Sequence, residues 1–258
     1  MDIQKAATAL MEAEDVKKPI APFTSSTEVI SVEDAYNIQL YQIQQKVEKG
    51  AAIVGKKIGL TSKAMQEMLN VSEPDYGHLL DNMMYRDGET ISLTKYIQPR
   101  IEFEIAFVLK KDLKGPGVTI NDVIEATDYV VPALEIIDSR IKDWQIKFED
   151  TVADNGSSAG AIIGSTTAKL DKLDLASVKM TVTRNGEYLD SATGAAVMGH
   201  PAQAVAWLAN ALGSYGISLH AGEVILSGAL SKAIPIEDGD TFTAEFDYLG
   251  AVTATFKK

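Results

Sequence analysis

Apolar residues recur at helical spacing in the first part of the chain. Residues 3–14 form one candidate helix, and after a proline-bearing stretch at 18–22 the segment SVEDAYNIQLYQIQQKVEKG predicts a second one. Ser31 and Asp34 have the spacing of a capping box, and Gly50 is a natural stop for that helix. The short apolar run AAIVGKKIGL that follows predicts a strand.

The pattern changes further along the chain. Thr61-Ser62 opens another predicted helix that continues through MQEML, and from about residue 73 strand signals dominate, separated by Gly, Pro, Asn and Asp turns. The predicted strands are ISL near 91, RIEFEIAFVLK, DYVVPALEIID, AGAIIG, VKMTVTRNG, EVILSGAL and TFTAEFDYLGAVTATFK. One clear helix interrupts them, beginning near His200-Pro201 and running through AQAVAWLANAL to Gly213.

This order of elements predicts an α+β protein. Residues 1–72 are expected to form a small, mainly helical N-terminal domain, and residues 73–258 a mainly β C-terminal domain. The sequence shows no internal repeat and no low-complexity segment.

Composition narrows the class of protein. The 258 residues are 46% hydrophobic and 23% charged, which is ordinary for a soluble globular protein. The formal net charge of −12 argues against nucleic acid as a partner but leaves room for a small anionic substrate. The absence of cysteine excludes disulfides, thiolate nucleophiles and Cys-based zinc sites. The N-terminal segment lacks the features of a signal peptide, and no run of about 18 apolar residues predicts a membrane span, so the cytoplasm is the expected compartment.

Three glutamates lie inside the two most apolar strand-like runs, Glu102 and Glu104 in RIEFEIAFVLK and Glu135 in YVVPALEIID. Because side chains alternate along a strand, Glu102 and Glu104 share one face, with Cα atoms about 6.6 Å apart. Burying an unpaired carboxylate is costly, and a common partner for converging carboxylates is a divalent cation. A metal site is therefore the first hypothesis.

The pattern alone leaves two other interpretations open. Glu102 and Glu104 would face solvent if this sheet were half exposed, since charged strand faces are common. Alternatively, Arg100 and Arg140 would neutralise the glutamates as ion pairs.

A lysine and an aspartate are further candidates. Lys57 lies in VGKKIGL, where one lysine of the pair faces inward if the segment is a buried strand. A buried ammonium can neutralise a bound anion or an enolate; the alternative is a side chain that extends to the surface. Asp75 follows Pro74 and by itself is typical of a turn.

Polar groups also occur in the loop DTVADNGSSAG and at the strand end EVILSGALS, where backbone N–H groups can hold a carboxylate. The candidate substrate-binding residues in these two segments are Asn155, Ser157, Ser227, Gly228 and Ala229. The three histidines lack metal-ligand spacing, and no GxSxG, GxGxxG or P-loop is present.

Several motifs occur in a fixed order: GKKIGLTS, SEPDYGHLLDNM, QPRIEFEIAFVL, PALEIIDSRIKDWQIKFEDTVADN, GHPAQAVAWLAN and ILSGAL. Together they resemble the 2-hydroxypenta-2,4-dienoate hydratase and 4-oxalocrotonate decarboxylase family, within the fumarylacetoacetate hydrolase superfamily. The resemblance extends from about residue 30 to residue 258. The ExE…E set is specific for the superfamily, and SRIKDWQIKFEDTVADN is specific for this branch of it.

The resemblance implies roles for the candidate residues. Glu102, Glu104 and Glu135 are expected to ligate Mg²⁺ or Mn²⁺, and Lys57 and Asp75 to line the active site as its catalytic residues. It also implies a β-roll catalytic domain at 73–258, to which the N-terminal part contributes Lys57. The expected assembly is a homo-oligomer, a pentamer or a dimer of pentamers, and a complex with a pathway neighbour enzyme is a further expectation.

PDYGHLLDNM, DSRIKDWQIKF and ILSGAL look closer to the hydratases of this family. The expected activity is hydration of 2-hydroxypenta-2,4-dienoate, through its 2-oxo-3-enoate tautomer, to 4-hydroxy-2-oxopentanoate in aromatic meta-cleavage catabolism. Asp75, with Lys57 close by, is the candidate for proton transfer. The alternatives are a metal-dependent 4-oxalocrotonate decarboxylase and a non-catalytic partner subunit of such a decarboxylase.

Overall fold

The computed structural model describes residues 1–63, 66–67 and 71–258, so the predicted helix through MQEML lies largely outside the described residues. The fold is α+β, as the order of elements predicts. The helices of the described part are α1 (Ile3–Val16), α2 (Val32–Glu48), α3 (Ile120–Ala126), α4 (Phe148–Ala153) and α5 (Pro201–Gly213). None of these helices is long and apolar enough to cross a membrane.

The strands are numbered in chain order and form two sheets. They are β1 (Ile53–Gly59), β2 (Asp75–Leu80), β3 (Met84–Arg86), β4 (Thr90–Ser92), β5 (Arg100–Leu109), β6 (Thr127–Ile137), β7 (Ser158–Ile163), β8 (Lys179–Arg184), β9 (Glu187–Thr193), β10 (Val224–Leu226), β11 (Ile234–Pro235), β12 (Thr241–Phe246) and β13 (Gly250–Lys257). The larger sheet has the order β2-β1-β10-β5-β6-β7-β3, with β11 paired to β5, and the smaller has the order β4-β13-β12-β8-β9.

Local sequence signals account for the helix ends. Ser31 Oγ accepts the N–H of Asp34, and the Asp34 carboxylate accepts the N–H of Ser31, which confirms the capping box at the start of α2. Such a cap contributes about 1 kcal/mol. Helix α5 begins at Pro201, and His200 Nδ1 accepts the N–H of Ala202. The pattern does not predict β2, whose Pro-Asp start is typical of a turn, or β9, which faces mostly solvent.

The main core lies between the two sheets. The apolar face predicted for β5 is confirmed, because Ile101, Phe103 and Phe107 are fully buried. The Phe103 ring lies 6.2 Å from that of Phe242 on β12, which in turn lies 6.2 Å from Phe256 on β13. Each buried phenylalanine contributes about 1.5–3 kcal/mol. Since this face of β5 fills the core, its other face, with the glutamates, points to the opposite side of the larger sheet.

A second, smaller core joins α1, α2 and α4 through buried residues that include Leu10, Ile38 and Val152. Gln39 and Gln42 of α2 donate side-chain hydrogen bonds to the last carbonyls of α4, at 2.7 Å each. These contacts fix the end of α4 and the turn that follows it. The division of domains at residue 72 stays a prediction; strand β1, which precedes it, lies within the larger sheet between β2 and β10.

Candidate metal centre

The register of β5 with β6 brings the three glutamates together. Glu102 lies directly opposite Glu135, and Glu104 lies opposite Ala133 on the same pair of strands. One oxygen from each of the three carboxylates lies within 4.8 Å of the other two. Sheet pairing therefore supplies the convergence that the strand pattern alone left open.

Two of the three glutamates are fully removed from water, and Glu102 is partly buried. Glu104 and Glu135 are 0% exposed, which excludes a solvent-facing strand at these two positions. Burial raises the pKa of Glu104 and of Glu135, and it raises the pKa of Glu102 to about 7. The negative charge of Glu135 adds to the rise at Glu102 and Glu104. Three ionised carboxylates at this spacing repel one another unless a cation binds between them.

Unpaired oxygens in this cluster fit a divalent cation. Among the described residues, Glu104 Oε1 and both carboxylate oxygens of Glu135 lack a hydrogen-bond partner. Glu104 Oε2 accepts the N–H of Gly228 at 2.7 Å, and this bond orients the carboxylate. Converging carboxylate oxygens are the donors that Mg²⁺ and Mn²⁺ prefer. The donor set therefore suits the expected metal.

Strands β1 and β2 carry a buried lysine, Lys57, and a buried aspartate, Asp75, which lie close together. Lys57 is 3% exposed, so its side chain does not reach the surface, and its Nζ lies 3.9 Å from Oδ1 of Asp75. The interpretation of Asp75 as a turn residue is wrong, because Asp75 begins β2 and pairs with Gly59. Burial lowers the pKa of Lys57, but the charges of Glu135 and Asp75 outweigh burial and raise the pKa above its ordinary value. Lys57 is therefore protonated at neutral pH.

Two glycines leave room for the Lys57–Asp75 pair. A Cβ atom at Gly59 would lie 2.2 Å from Oδ1 of Asp75, and one at Gly156 would lie 2.5 Å from Cε of Lys57. Gly156 also has a φ of +58°, a conformation that favours glycine. The local pattern marks both glycines as ordinary turn or strand residues, since these contacts cross between distant segments.

The turn after α4 has an unusual backbone, because Asn155, Gly156 and Ser157 are all left-handed. Asn155 Oδ1 accepts the N–H of His78 at 2.8 Å, and its Nδ2 donates to the His78 carbonyl at 3.0 Å. The Asn155 carboxamide thus holds β2 against this turn. The buried hydroxyl of Ser157 has no partner among the described residues. The substrate-binding roles of Asn155 and Ser157 stay predictions.

The segment Ser227-Gly228-Ala229 follows β10 and lies beside β5. Ser227 Oγ donates to the carbonyl of Ile105 at 2.8 Å, while the Gly228 N–H donates to Glu104. Both donors therefore form hydrogen bonds within the protein, and the N–H of Gly228 orients the carboxylate of Glu104. A substrate-binding role for the three residues stays a prediction.

Arginine ion pairs do not neutralise the glutamates within the described residues. Arg140 is buried, and its Nε lies 2.5 Å from Oδ1 of Asp154. The Arg100 guanidinium stacks on the Trp144 ring, 4.5 Å from its centroid. The ion-pair interpretation is therefore wrong for both arginines, and the metal-ligand roles of the three glutamates stay a prediction.

The fold and the glutamate cluster together define a family. The model described as fumarylacetoacetate (FAA) hydrolase C-terminal matches residues 44–257, and the chain belongs to this family. The chain is 48% identical to a 2-hydroxyhexa-2,4-dienoate hydratase of Comamonas testosteroni, over 98% of this chain and 97% of that one. It is 46% identical to a 2-keto-4-pentenoate hydratase of Paraburkholderia xenovorans (strain LB400), over 98% and 94%.

A solved structure is similar over the whole chain as well. It is the 4-oxalocrotonate decarboxylase from Pseudomonas putida G7, complexed with magnesium and adipate. The TM-score is 0.94 at 38% identity, covering 98% of this chain and 97% of that one. These likenesses confirm the resemblance to the branch that contains hydratases and decarboxylases.

Proposed function

We propose that this protein is a divalent-metal-dependent hydratase that converts 2-hydroxypenta-2,4-dienoate to 4-hydroxy-2-oxopentanoate in aromatic meta-cleavage catabolism. The observation that carries the proposal is the cluster of converging carboxylates formed by Glu102, Glu104 and Glu135, of which Glu104 and Glu135 are fully buried. It lies in a chain whose hydratase relatives match over nearly their full length.

The three glutamates would hold Mg²⁺ or Mn²⁺. Three carboxylates and one divalent ion sum to a charge of −1, so an anionic substrate requires a further cation nearby. Lys57 supplies that cation, since its ammonium is buried and lies 3.9 Å from Oδ1 of Asp75. The metal, when bound, supplies Lewis-acid stabilisation of negative charge on the C2 oxygen of the substrate.

Two proton transfers are assigned to the Lys57–Asp75 pair. In the first step the C2 hydroxyl loses a proton and C5 gains one, which gives the 2-oxo-3-enoate. In the second step water adds across C3 and C4, with the hydroxyl on C4 and a proton on C3. Asp75 is the group that donates and accepts these protons. Lys57, at 3.9 Å, stabilises the negative charge that develops on Asp75 and on the substrate.

Burial supports this assignment. Lys57 and Asp75 are 3% and 1% exposed, so bulk water does not compete for the proton at their polar atoms. Asp75 Oδ1 has no hydrogen-bond partner among the described residues, which leaves it available to a substrate.

A second candidate activity is decarboxylation of 4-oxalocrotonate, which the structural likeness to a decarboxylase favours. Loss of CO₂ from that substrate also places negative charge on the C2 oxygen, so the same carboxylates and Lys57 would serve it. The higher identity to hydratases favours hydration. A non-catalytic partner subunit is a third candidate, but a scaffold has no need of a buried cluster of unpaired carboxylates.

The test is an assay of purified protein with Mg²⁺ on each substrate in turn. We expect 2-hydroxypenta-2,4-dienoate to lose its absorbance as 4-hydroxy-2-oxopentanoate forms. Release of CO₂ from 4-oxalocrotonate without hydration of the dienoate would reverse the choice of reaction. Inactivity toward both substrates would favour the partner subunit.

The role of Asp75 has a separate test. The Asp75→Asn variant is expected to lose about 10²–10⁴-fold in kcat, the usual contribution of a general acid or base. Its Mg²⁺ affinity, measured by calorimetry, should stay within about threefold of wild type, since Asp75 lies outside the glutamate cluster. An unchanged kcat would remove Asp75 from the mechanism.

The assembly and the compartment are also proposed from the resemblance. We expect a cytoplasmic homo-oligomer built from pentamers, with light scattering of the purified protein as the measurement. A monomer at micromolar concentration would contradict the oligomer.

A further inference from the structure

The turn that follows α4 contacts both residues of the Lys57–Asp75 pair. A Cβ atom at Gly156 would lie 2.7 Å from Nζ of Lys57 and 3.5 Å from Oδ1 of Asp75, so the backbone of this turn packs against both polar groups. The preceding residue, Asn155, bonds the N–H and the carbonyl of His78, on the strand that Asp75 begins. The position of the turn therefore determines where the ammonium and the carboxylate lie relative to each other.

This turn has a costly backbone conformation. Asn155, Gly156 and Ser157 have φ values of +56°, +58° and +57°, so three left-handed residues follow one another. A left-handed conformation costs about 1–2 kcal/mol for each residue that is not glycine. It persists only where the surrounding structure fixes it. Contacts at the two residues that flank the turn, Asp154 and Ser158, are therefore needed.

The Arg140 guanidinium bonds both flanking residues. Its Nη2 donates to the Asp154 carbonyl at 2.5 Å, and its Nη1 donates to the Ser158 carbonyl at 3.2 Å. Its Nε donates to Oδ1 of Asp154 at 2.5 Å, and Nη1 also donates to the Asp138 carbonyl at 2.7 Å. One rigid, planar group thus joins the start and the end of the left-handed turn.

The Arg140 side chain is fully engaged within the protein. Arg140 is 5% exposed and Asp154 is 0% exposed, and their opposite charges balance each other. These contacts use four of the five N–H donors of the guanidinium. Arg140 is therefore not a substrate ligand, and it acts on the site through the turn that it holds.

We propose that Arg140 is a positioning residue for the proton transfers. Its guanidinium holds the turn at 155–157 in the conformation that sets Gly156 against Lys57 and, through Asn155, fixes the strand that begins with Asp75. This inference rests on the proposed function, which assigns the proton transfers to Lys57 and Asp75.

The test combines steady-state kinetics with amide hydrogen exchange in Arg140→Lys. Lysine keeps the charge but presents its donors at one point, so it cannot bond Asp154 and Ser158 together. We expect kcat for 2-hydroxypenta-2,4-dienoate to fall about 10- to 100-fold, the loss expected when a catalytic group is misplaced by about 1 Å. KM and Mg²⁺ affinity should stay within about threefold. The N–H of His78, which donates to Asn155, should exchange about tenfold faster.

A double variant, Arg140→Gln with Asp154→Asn, covers the case in which Arg140→Lys does not fold. It removes both charges of the buried pair together and so leaves neither one uncompensated. Because it also lacks the planar fork, it should show the same loss of kcat and the same faster exchange. Arg184→Lys is the matched control, since Arg184 bonds Asp240 and Glu237 at the end of β8 in the smaller sheet. This control should behave as wild type does in both measurements.

Two results would overturn the proposal. The first is a kcat and a His78 exchange rate within twofold of wild type in the folded Arg140 variants. The second is a loss of kcat with equally faster exchange in the smaller sheet, since Arg140 would then stabilise the protein as a whole. If wild type does not hydrate the dienoate, the proposed function alone fails, and the exchange of His78 still decides whether Arg140 holds the turn.

Discussion

The glutamate cluster predicts that one substitution will stabilise the metal-free protein and abolish its response to metal. Glu104→Gln removes a charge from a fully buried position, and the amide oxygen can still accept the N–H of Gly228. The new NH₂ group faces Glu102 and Glu135 and can donate to their carboxylates. Like-charge repulsion in the cluster is therefore replaced by hydrogen bonding.

The magnitude follows from the spacing of the carboxylates. Two unit charges 4.8 Å apart repel by about 3.5 kcal/mol at an effective dielectric constant of about 20. Glu104 has two such neighbours, but burial and the charge of Glu135 raise the pKa of Glu102 and of Glu104, which favours proton uptake and relieves part of the repulsion. We expect a net gain of about 3 kcal/mol in the free energy of unfolding. For a chain of this size, that gain raises Tm by roughly 6–12 °C.

The assay is thermal unfolding at pH 8, first with chelator and then with Mg²⁺. Wild type should gain about 2.7 kcal/mol when Mg²⁺ is present at about 100 times its Kd, because the ion binds only the folded state. Glu104→Gln should unfold at a higher temperature than wild type in chelator and should show little further gain with Mg²⁺. Calorimetric titration of Mg²⁺ checks the loss of affinity directly.

The matched control is Glu223→Gln, the same substitution in a buried carboxylate that has a cation partner. Glu223 Oε1 lies 2.7 Å from Nζ of Lys56, and Lys56 is 3% exposed. Breaking a buried pair leaves an uncompensated charge and should cost about 3–5 kcal/mol. The reasoning is refuted if Glu104→Gln destabilises the metal-free protein as Glu223→Gln does, or if it keeps the full response to Mg²⁺.

Two further predictions concern the surroundings of the site. Gly156→Ala places a methyl group 2.5 Å from Cε of Lys57 and should lower kcat at least about tenfold while Mg²⁺ affinity is kept, so unchanged kinetics would contradict the packing argument. Burial, with Lys56 nearby, lowers the pKa of His78 to about 4, so the unfolded chain binds a proton more readily between pH 4 and 6.5. The contribution of neutral His78 to the free energy of unfolding is therefore complete above pH 6.5 and is lost as pH falls toward 4, by about 3 kcal/mol in all. Denaturant titrations across this range should show that loss as the difference in pH dependence between wild type and His78→Gln, and parallel curves would contradict it.

Much of the fold can be predicted from local patterns in the sequence. The capping box of α2, the proline start of α5 and the alternation along β5 each depend on residues close together in sequence. For the same reason β2 is missed, because a strand buried on both faces behind a Pro-Asp start has no alternation to reveal it. The short helix α4 is also not predicted, because its sequence is typical of a polar loop. Hydrogen bonds from α2 stabilise it.

The shared strand face of Glu102 and Glu104 can be predicted from the sequence alone, because side-chain alternation is a local property of the backbone. The position of Glu135 opposite Glu102, and the burial of Lys57 at 3.9 Å from Asp75, become apparent only in the folded chain. These contacts depend on the register between strands that are distant along the chain, and register is set by the packing of whole sheet faces. In the same fold Arg140 is bonded to Asp154, and no cationic side chain of the described residues forms an ion pair with the glutamates.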